Sequence, residues 1–521
     1  MYPGTHAQTN PDKIALIHGE TGETRTYREL DDRSNQLAQL LHAEGLRPGD
    51  HVALYLENTL TYFDVVWACI RSGLYLTPIN WHLSPAEAAY IVDDCDAKVL
   101  IGSAAIPSTV ELGRLSPQCA IKLSVGGAVE GFRDFDAAVA QQPGRKLDEE
   151  WLGTTMVYSS GTTGKPKGIL RPLWNMHPDR GSPAIQFVAE AFGFGPDMVY
   201  LSPAPLYHGA PLASTMATTQ AGGTVVMMER FDAEEALRQI ERYKVTHSQW
   251  VPTMFIRMLK LPEEVRRQYD LSSQRCATHA AAPCPVDVKR QMIAWWGPVI
   301  EEYYSSTESV AFTKINSAEW LAHPGSVGRS PNKSILVCDD EGNVLPAGQS
   351  GMVYGEPTGG AAFVYHKAQD KTGSSAHPTQ PNLRTVGDVG YLDEDGYLYL
   401  TDRKAFMIIS GGVNIYPQQI EDALALHPKV ADVAVIGVPN AELGEEVKAV
   451  VEPAPGVEPS DALAQEIKDF VTERLGKQLT PRSVDFMDAL PRLPTGKLYK
   501  KALRDRYWGD AGGTKSLAER I

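Results

Sequence analysis

A chain of 521 residues is longer than one hydrophobic core usually serves, so two or more domains are expected. Its 43% apolar and 22% charged residues are those of a soluble globular protein, and a net charge of −15 argues against a polyanion as main partner, because nucleic-acid binding relies on clustered Lys and Arg. Six scattered cysteines with no Cys-x-x-Cys pair, and a start lacking both a basic segment and an apolar run, argue against a zinc framework and a secretory signal; a cytoplasmic enzyme is the expectation.

Along the chain, the first ~150 residues alternate helix-period and strand-like stretches, as in a layered α/β domain. Residues 27–43 have Leu30, Leu37, Leu40 and Leu41 at helical spacing behind the cap Thr26, while 51–55 and 98–101 read as short buried strands. The apolar run 155–158 predicts a strand that leads into Ser159, Ser160, Gly161, Thr162, Thr163, Gly164, Lys165, Pro166, Lys167 and Gly168. Backbone N–H groups, hydroxyls and two ammonium groups in such a run form a cradle for phosphate oxygens. It is not the Walker type, because Ser159 stands six residues before Lys165 and Pro166 follows it. A Gly/Ser linker is the competing reading, and two lysines, a proline and a β-branched lead-in speak against it.

Residues 198–228 hold no Asp, Glu, Lys or Arg, yet Pro203, Pro205, Pro211, Gly222 and Gly223 interrupt them. A buried strand–turn–strand region is predicted rather than a membrane span. An amphipathic helix at 233–243 and a strand at 246–251 follow. From about 335 short strands with turns at 339–342 and 393–396 predict a small β subdomain reaching 402. A helix near 416–426, strands at 431–438 and 448–451 and a helix at 461–475 make an α+β unit, and the last dozen residues are expected to fray. The expected fold is therefore α/β: a large N-terminal domain, 1–402, of layered α/β subdomains plus the β subdomain at about 335–402, followed by a small mobile α+β domain, 403–521.

Residues 159–168 resemble the phosphate loop of the adenylate-forming superfamily, which contains acyl-CoA synthetases, peptide-synthetase adenylation domains and firefly luciferase. Four further segments occur in the superfamily's order, so the resemblance covers almost the whole chain. Tyr303-Tyr304-Ser305-Ser306-Thr307-Glu308 matches Tyr-Gly-x-Thr-Glu with Ser305 in place of glycine. The resemblance implies Tyr304 against adenine, Thr307 on the α-phosphate and Glu308 as a hard oxygen ligand for Mg²⁺. Alone, that segment also reads as a capped helix start. Gly387-Asp388-Val389-Gly390-Tyr391 and the later Arg403 imply Asp388 on the ribose hydroxyls and Arg403 on ribose and phosphate, an Asp-Gly turn being the alternative for Asp388. Ser410-Gly411-Gly412-Val413-Asn414-Ile415-Tyr416-Pro417 resembles the loop whose two glycines, here Gly411 and Gly412, line the pantetheine tunnel of CoA ligases. Leu493-Pro494-Thr495-Gly496-Lys497 matches Pro-x-Thr-Gly-Lys, which implies Lys497 as the catalytic lysine, delivered by domain movement to the α-phosphate and the attacking carboxylate.

On the acyl side, Pro205-Leu206-Tyr207-His208-Gly209 resembles the segment in which a histidine or aromatic gates the acid pocket; a structural core histidine stays open for His208. Ala281 and Ala282, within 278–283, stand where many relatives have Gly-Gly-Ala-Pro before the acyl and adenine pockets. Trp250, Pro252 and Met254 are candidate walls or plain core. The implied enzyme is an AMP-forming acyl-CoA ligase acting on a bulky apolar acid, with ATP/AMP, Mg²⁺ and coenzyme A as cofactors. Its expected partners are a small-molecule carboxylic acid, ATP and CoA, with a homodimer allowed for and neither nucleic acid nor a membrane span. Ala405 and Phe406 depart from the polar residues usual after the hinge arginine. That leaves two rivals: an enzyme competent only in thioesterification of supplied acyl-AMP, or one that loads a carrier protein. Lys497 argues against a non-catalytic nucleotide sensor.

Overall fold

Two largely parallel sheets carry most of the first 316 residues. In the computed structural model of the chain the described residues are 1–159, 166–332, 334–357, 363–403, 406–411, 413–492 and 498–508, with only the backbone described at 369, 371, 402, 403, 414 and 501. One sheet has six parallel strands in the order Arg133–Asp134, Ile121–Val125, Ala97–Ser103, His51–Tyr55, Tyr75–Pro78 and Thr154–Thr155. The other has eight. Its six central strands, Ile300–Ser305, Cys276–His279, His247–Trp250, Val199–Ser202, Thr224–Met227 and Ile14–His18, are parallel, flanked by antiparallel Phe312–Asn316 and Thr24–Thr26. His51–Tyr55 is buried over its last four residues, as both-face burial in a parallel sheet requires. The Tyr27–Ala43 helix starts where Thr26 accepts from the Glu29 amide and the Glu29 carboxylate accepts from the Thr26 amide, and it buries Leu30, Leu37, Leu40 and Leu41.

The region 198–228 corrects the expected strand–turn–strand. The helix Gly209–Ala221 lies between the strands Val199–Ser202 and Thr224–Met227. It has no charged face because nearly all of it from Pro211 onward is buried, and its hydroxyls bond back to its own carbonyls, Thr215 to Pro211 and Thr218 to Ser214. Pro211 falls in the first turn, where its missing N–H is not needed, and Gly222 caps the end at φ +85°. The turn residues were helix punctuation.

Among the described residues three smaller antiparallel or mixed sheets complete the fold. Val157–Ser159, Lys167–Leu170 and Val364–Tyr365 form a three-stranded sheet; Ile335–Cys338, Gly351–Gly355, Asp388–Leu392 and Leu398–Arg403 form a four-stranded one. The fifth sheet joins Ile408–Ser410, Val413–Ile415, Val430–Asn440, Gly444–Pro453 and Ser483–Phe486, covered by the helices Pro417–Leu424 and Asp461–Leu475 around Ile420, Val435 and Ile467. Lys260, after the Pro252–Leu259 helix, ties this unit to the rest by donating to the carbonyls of Val430 (2.8 Å) and Ala431 (3.1 Å). The α/β class with a large first and a small last part is the one expected. Residues 404–405, just after the expected boundary, and 509–521 lie outside the described residues. Among the described residues no helix is long and apolar enough to cross a membrane.

The strand that ends in the candidate site is anchored by a buried ion pair. Lys289, on the helix Val286–Trp296, places its ammonium 2.5 Å from Glu302 and 4.9 Å over the Trp320 ring, with both charged side chains almost wholly buried. Lys289→Met leaves the Glu302 carboxylate without its cation and is expected to lower stability by about 3 kcal/mol or more. Adding Glu302→Leu should restore most of it in urea denaturation, and a double variant no more stable than the single one would refute the pairing.

Candidate active site

In parallel sheets ligands sit beyond the carboxyl ends of the strands, and several candidate residues stand there. Ala281 and Ala282 follow Cys276–His279, Thr307 and Glu308 follow Ile300–Ser305, and His208 follows Val199–Ser202. All of them line one cavity of about 2130 Å³, together with Ser159, Lys167, Tyr304 and Asp388. Thr307 and Glu308 occupy a turn after a strand, so the capped-helix alternative does not apply.

Three outside partners hold that turn. The Tyr304 hydroxyl donates to Asp388 Oδ2 at 2.7 Å, and the Tyr365 hydroxyl donates to Glu308 Oε1 at 2.9 Å. Arg171 donates through Nη2 to the Thr307 carbonyl and, at 3.0 Å, to Ser309 Oγ. Burial lowers the pKa of its guanidinium, and the Glu308 charge works against that. Lys167 lies 5.1 Å over the Tyr365 ring, so one phenol connects the strand Lys167–Leu170 to the Glu308 carboxylate. Arg171 and Tyr365 were missed by sequence reasoning. Neither sits in a motif, and their partners are more than 50 residues away.

His208 is neutral. Burial lowers its pKa to about 3, its Nε2 is shut off from solvent without a hydrogen-bond partner, and the Tyr207 ring lies edge-on at 4.4 Å. Trp250 and Pro252 line the cavity, whereas Met254 does not and belongs to the core with Phe255 and Met258. Gly411 stands at φ +57°, donates its amide to the Leu443 carbonyl at 2.9 Å and is not part of the cavity lining. Ser160, Gly161, Thr162, Thr163, Gly164, Lys165, Gly412 and Lys497 lie outside the described residues, as does the side chain of Arg403. Arg492 and Leu498, which flank 493–497, pair as a bridge and line the cavity.

The model for AMP-binding enzymes matches residues 4–358, and that for the AMP-binding enzyme C-terminal domain matches 419–497. The chain belongs to the AMP-binding enzyme family. It is an adenylate-forming enzyme on the acid–CoA ligase branch that its motifs resemble. It is 32% identical to a feruloyl-CoA synthase of an Amycolatopsis species, covering 97% of this chain and 98% of that one. It is 30% identical to the fatty acid–[acyl-carrier-protein] ligase ScoC of Streptomyces coeruleorubidus, over 97% and 96%. The crystal structure of the anthranilate CoA ligase AuaEII with anthranoyl-AMP superposes with a TM-score of 0.84 at 26% identity, over 97% and 96%.

Two non-glycine residues of the site hold a left-handed backbone: Ala281 at φ +76° and Ser309 at φ +56°. Each stores strain of about 1–2 kcal/mol at the site. Ala281→Gly is therefore expected to raise stability by about 1 kcal/mol in denaturant titration, and a loss of stability would contradict the strained backbone. Ser309→Gly should gain less, since it gives up the Arg171 contact.

His208 also sets an acid response. Its pKa is about 6.5 when unfolded and about 3 when folded, so below pH 6.5 the unfolded chain takes up a proton that the folded one refuses. This penalty is absent above pH 6.5, grows as pH falls and is complete near pH 3. His208→Gln should lose less stability than wild type between pH 7 and 4.5, read as urea midpoints; identical slopes would refute the assignment.

Proposed function

We propose that the protein converts a bulky apolar carboxylic acid to its acyl adenylate with Mg-ATP and then transfers the acyl group to coenzyme A. The reading rests on the convergence of the turn 304–308, Asp388 and the hairpin residues Ser159 and Lys167 on one cavity. A carboxylate resists a thiol because its charge repels nucleophiles and oxide leaves poorly. Attack of its oxygen on the α-phosphorus breaks the bond to pyrophosphate and forms a mixed anhydride. The CoA sulfur then attacks the acyl carbon and AMP leaves.

In this reading residues 159–167 cradle the phosphates, Tyr304 lies against adenine, and Asp388, already oriented by Tyr304, takes the ribose. Arg403 joins ribose to phosphate, and Thr307 contacts the α-phosphate. Glu308 fits a magnesium ligand: Tyr365 engages Oε1, and no donor among the described residues takes Oε2. No group of three His, Cys, Asp or Glu side chains gathers for a metal among the described residues. That suits an ion that is carried on phosphates and needs one carboxylate, and that offsets phosphate charge when bound. Neutral His208 acts as a gate to the acid, not as a proton donor, beside the small Ala281 and Ala282.

Lys497 serves the first step. The loop of Gly411 and Gly412 serves the second, which requires the proposed domain 403–521 to rotate against 1–402, since Gly411 is outside the cavity lining in this arrangement. CoA is favoured as acceptor by that loop and by the relative named as a feruloyl-CoA synthase; the relative named as a carrier-protein ligase keeps a carrier as the second reading.

The test is acid-dependent exchange of labelled pyrophosphate into ATP, followed by thioester formation with CoA or a carrier protein. Lys497→Ala is expected to slow acyl-AMP formation by about 10²-fold or more while sparing thioester formation from supplied acyl-AMP. Equal loss in both steps would remove the lysine from this role.

A further inference from the structure

Polar side chains line the cavity as well as apolar ones. Gln249, on the strand His247–Trp250, is 7% exposed; its Nε2 donates to the Tyr303 hydroxyl, and its Oε1 accepts from Ser214 Oγ (3.2 Å) and from the Tyr200 hydroxyl (3.4 Å). Gln249, Tyr303 and Ser214 line the cavity, with Tyr200 buried behind them. These four side chains carry five polar hydrogens, and the three bonds among them use three. Two are left, one on Gln249 and one on Tyr303, and no acceptor among the described residues takes either. Reversing the amide moves the surplus to Ser214 and Tyr200 without removing it. Burial raises the Tyr303 pKa to about 12, so the phenol keeps its proton. Donor hydrogens left over on residues that line the cavity call for an acceptor atom on the ligand, because a ligand that covers them without accepting leaves them unmet at a cost in free energy.

The neighbouring wall is aromatic. Phe312 lies 6.1 Å from the Tyr303 ring at 21° between planes, Phe187 meets Phe312 edge-on at 4.7 Å, and Phe192 stands 5.4 Å from Tyr303. All four rings line the cavity, so a flat ring system finds both a face and edges there. The helix Gly209–Ala221 starts beside Thr307, with a Cβ built on Gly209 only 3.9 Å from Thr307 Cγ2. Ser214 is five residues further on, about 8 Å along the helix axis.

We propose that the acid activated here is cyclic and carries a hydrogen-bond-accepting oxygen bound by Gln249, Tyr303 and Ser214; with its carboxylate beside Thr307, where it would meet the α-phosphate, the helix rise puts that oxygen about 8 Å from the carboxylate. This deepens the ligase reading and rests on it. A ketone, ether or methoxy oxygen meets the surplus hydrogens, whereas an alkyl group of the same shape leaves them unmet.

Matched pairs test it: 4-methoxycinnamate against 4-ethylcinnamate, and 6-methoxy-2-naphthoate against 6-ethyl-2-naphthoate, compared by kcat/KM in ATP–pyrophosphate exchange. The oxygenated member should be preferred by about 10-fold or more, and the preference should fall to about 2-fold or less in Gln249→Leu and in Ser214→Ala. Ser214→Ala removes one oxygen from a helix and keeps the test alive should Gln249→Leu not fold. Equal use of both members by the wild type, or a preference unchanged in the folded variants, would overturn the proposal. Exchange with decanoate but with no ring acid would overturn it while leaving the ligase reading intact, and exchange with no acid at all would remove both.

Discussion

The turn 304–308 is the joint on which the site depends, and it is held from three directions. Asp388 comes from the four-stranded sheet, Tyr365 from the three-stranded sheet, and Arg171 from the segment just after the hairpin strand Lys167–Leu170. The turn itself leaves the end of the eight-stranded sheet, whose Ile300–Ser305 strand is anchored below by Lys289. Three sheets thus meet through side-chain hydrogen bonds over a few residues. Removing one partner loosens more than one wall of the cavity, which is how preorganised sites achieve geometric precision.

Burial sets the electrostatics around that joint. Arg171 is desolvated enough to lower its pKa, and His208 is held neutral at any pH near 7. At such a largely buried position a carboxylate such as Glu308 and a fixed cation interact more strongly than they would in water. The left-handed backbone at Ala281 and Ser309 belongs to the same pattern, since strain at a functional site persists when surrounding contacts over-determine it.

Much of the architecture was legible because it is local. The helices Tyr27–Ala43, Ala233–Tyr243 and Asp461–Leu475 have the bounds that their apolar spacing predicts, and the strand His51–Tyr55 likewise. The helix Gly209–Ala221 was not legible, because a helix buried over most of its length has no charged stripe and its Thr and Ser residues imitate a strand. The motif segments announced Tyr304, Glu308 and Asp388, but not that Tyr304 and Asp388 bond to each other across 84 residues. Arg171, Tyr365 and Gln249 had no local signal. Their roles come from tertiary neighbours, which a single sequence does not display.

The central claim is that one cavity, organised by the 304–308 turn, receives the nucleotide. A crystal structure of the protein soaked with AMP tests it most directly. The phosphate should lie between residues 159–167 and Thr307, the ribose at Asp388 and the adenine along Tyr304. AMP bound away from these residues, with the cavity holding none, would contradict it.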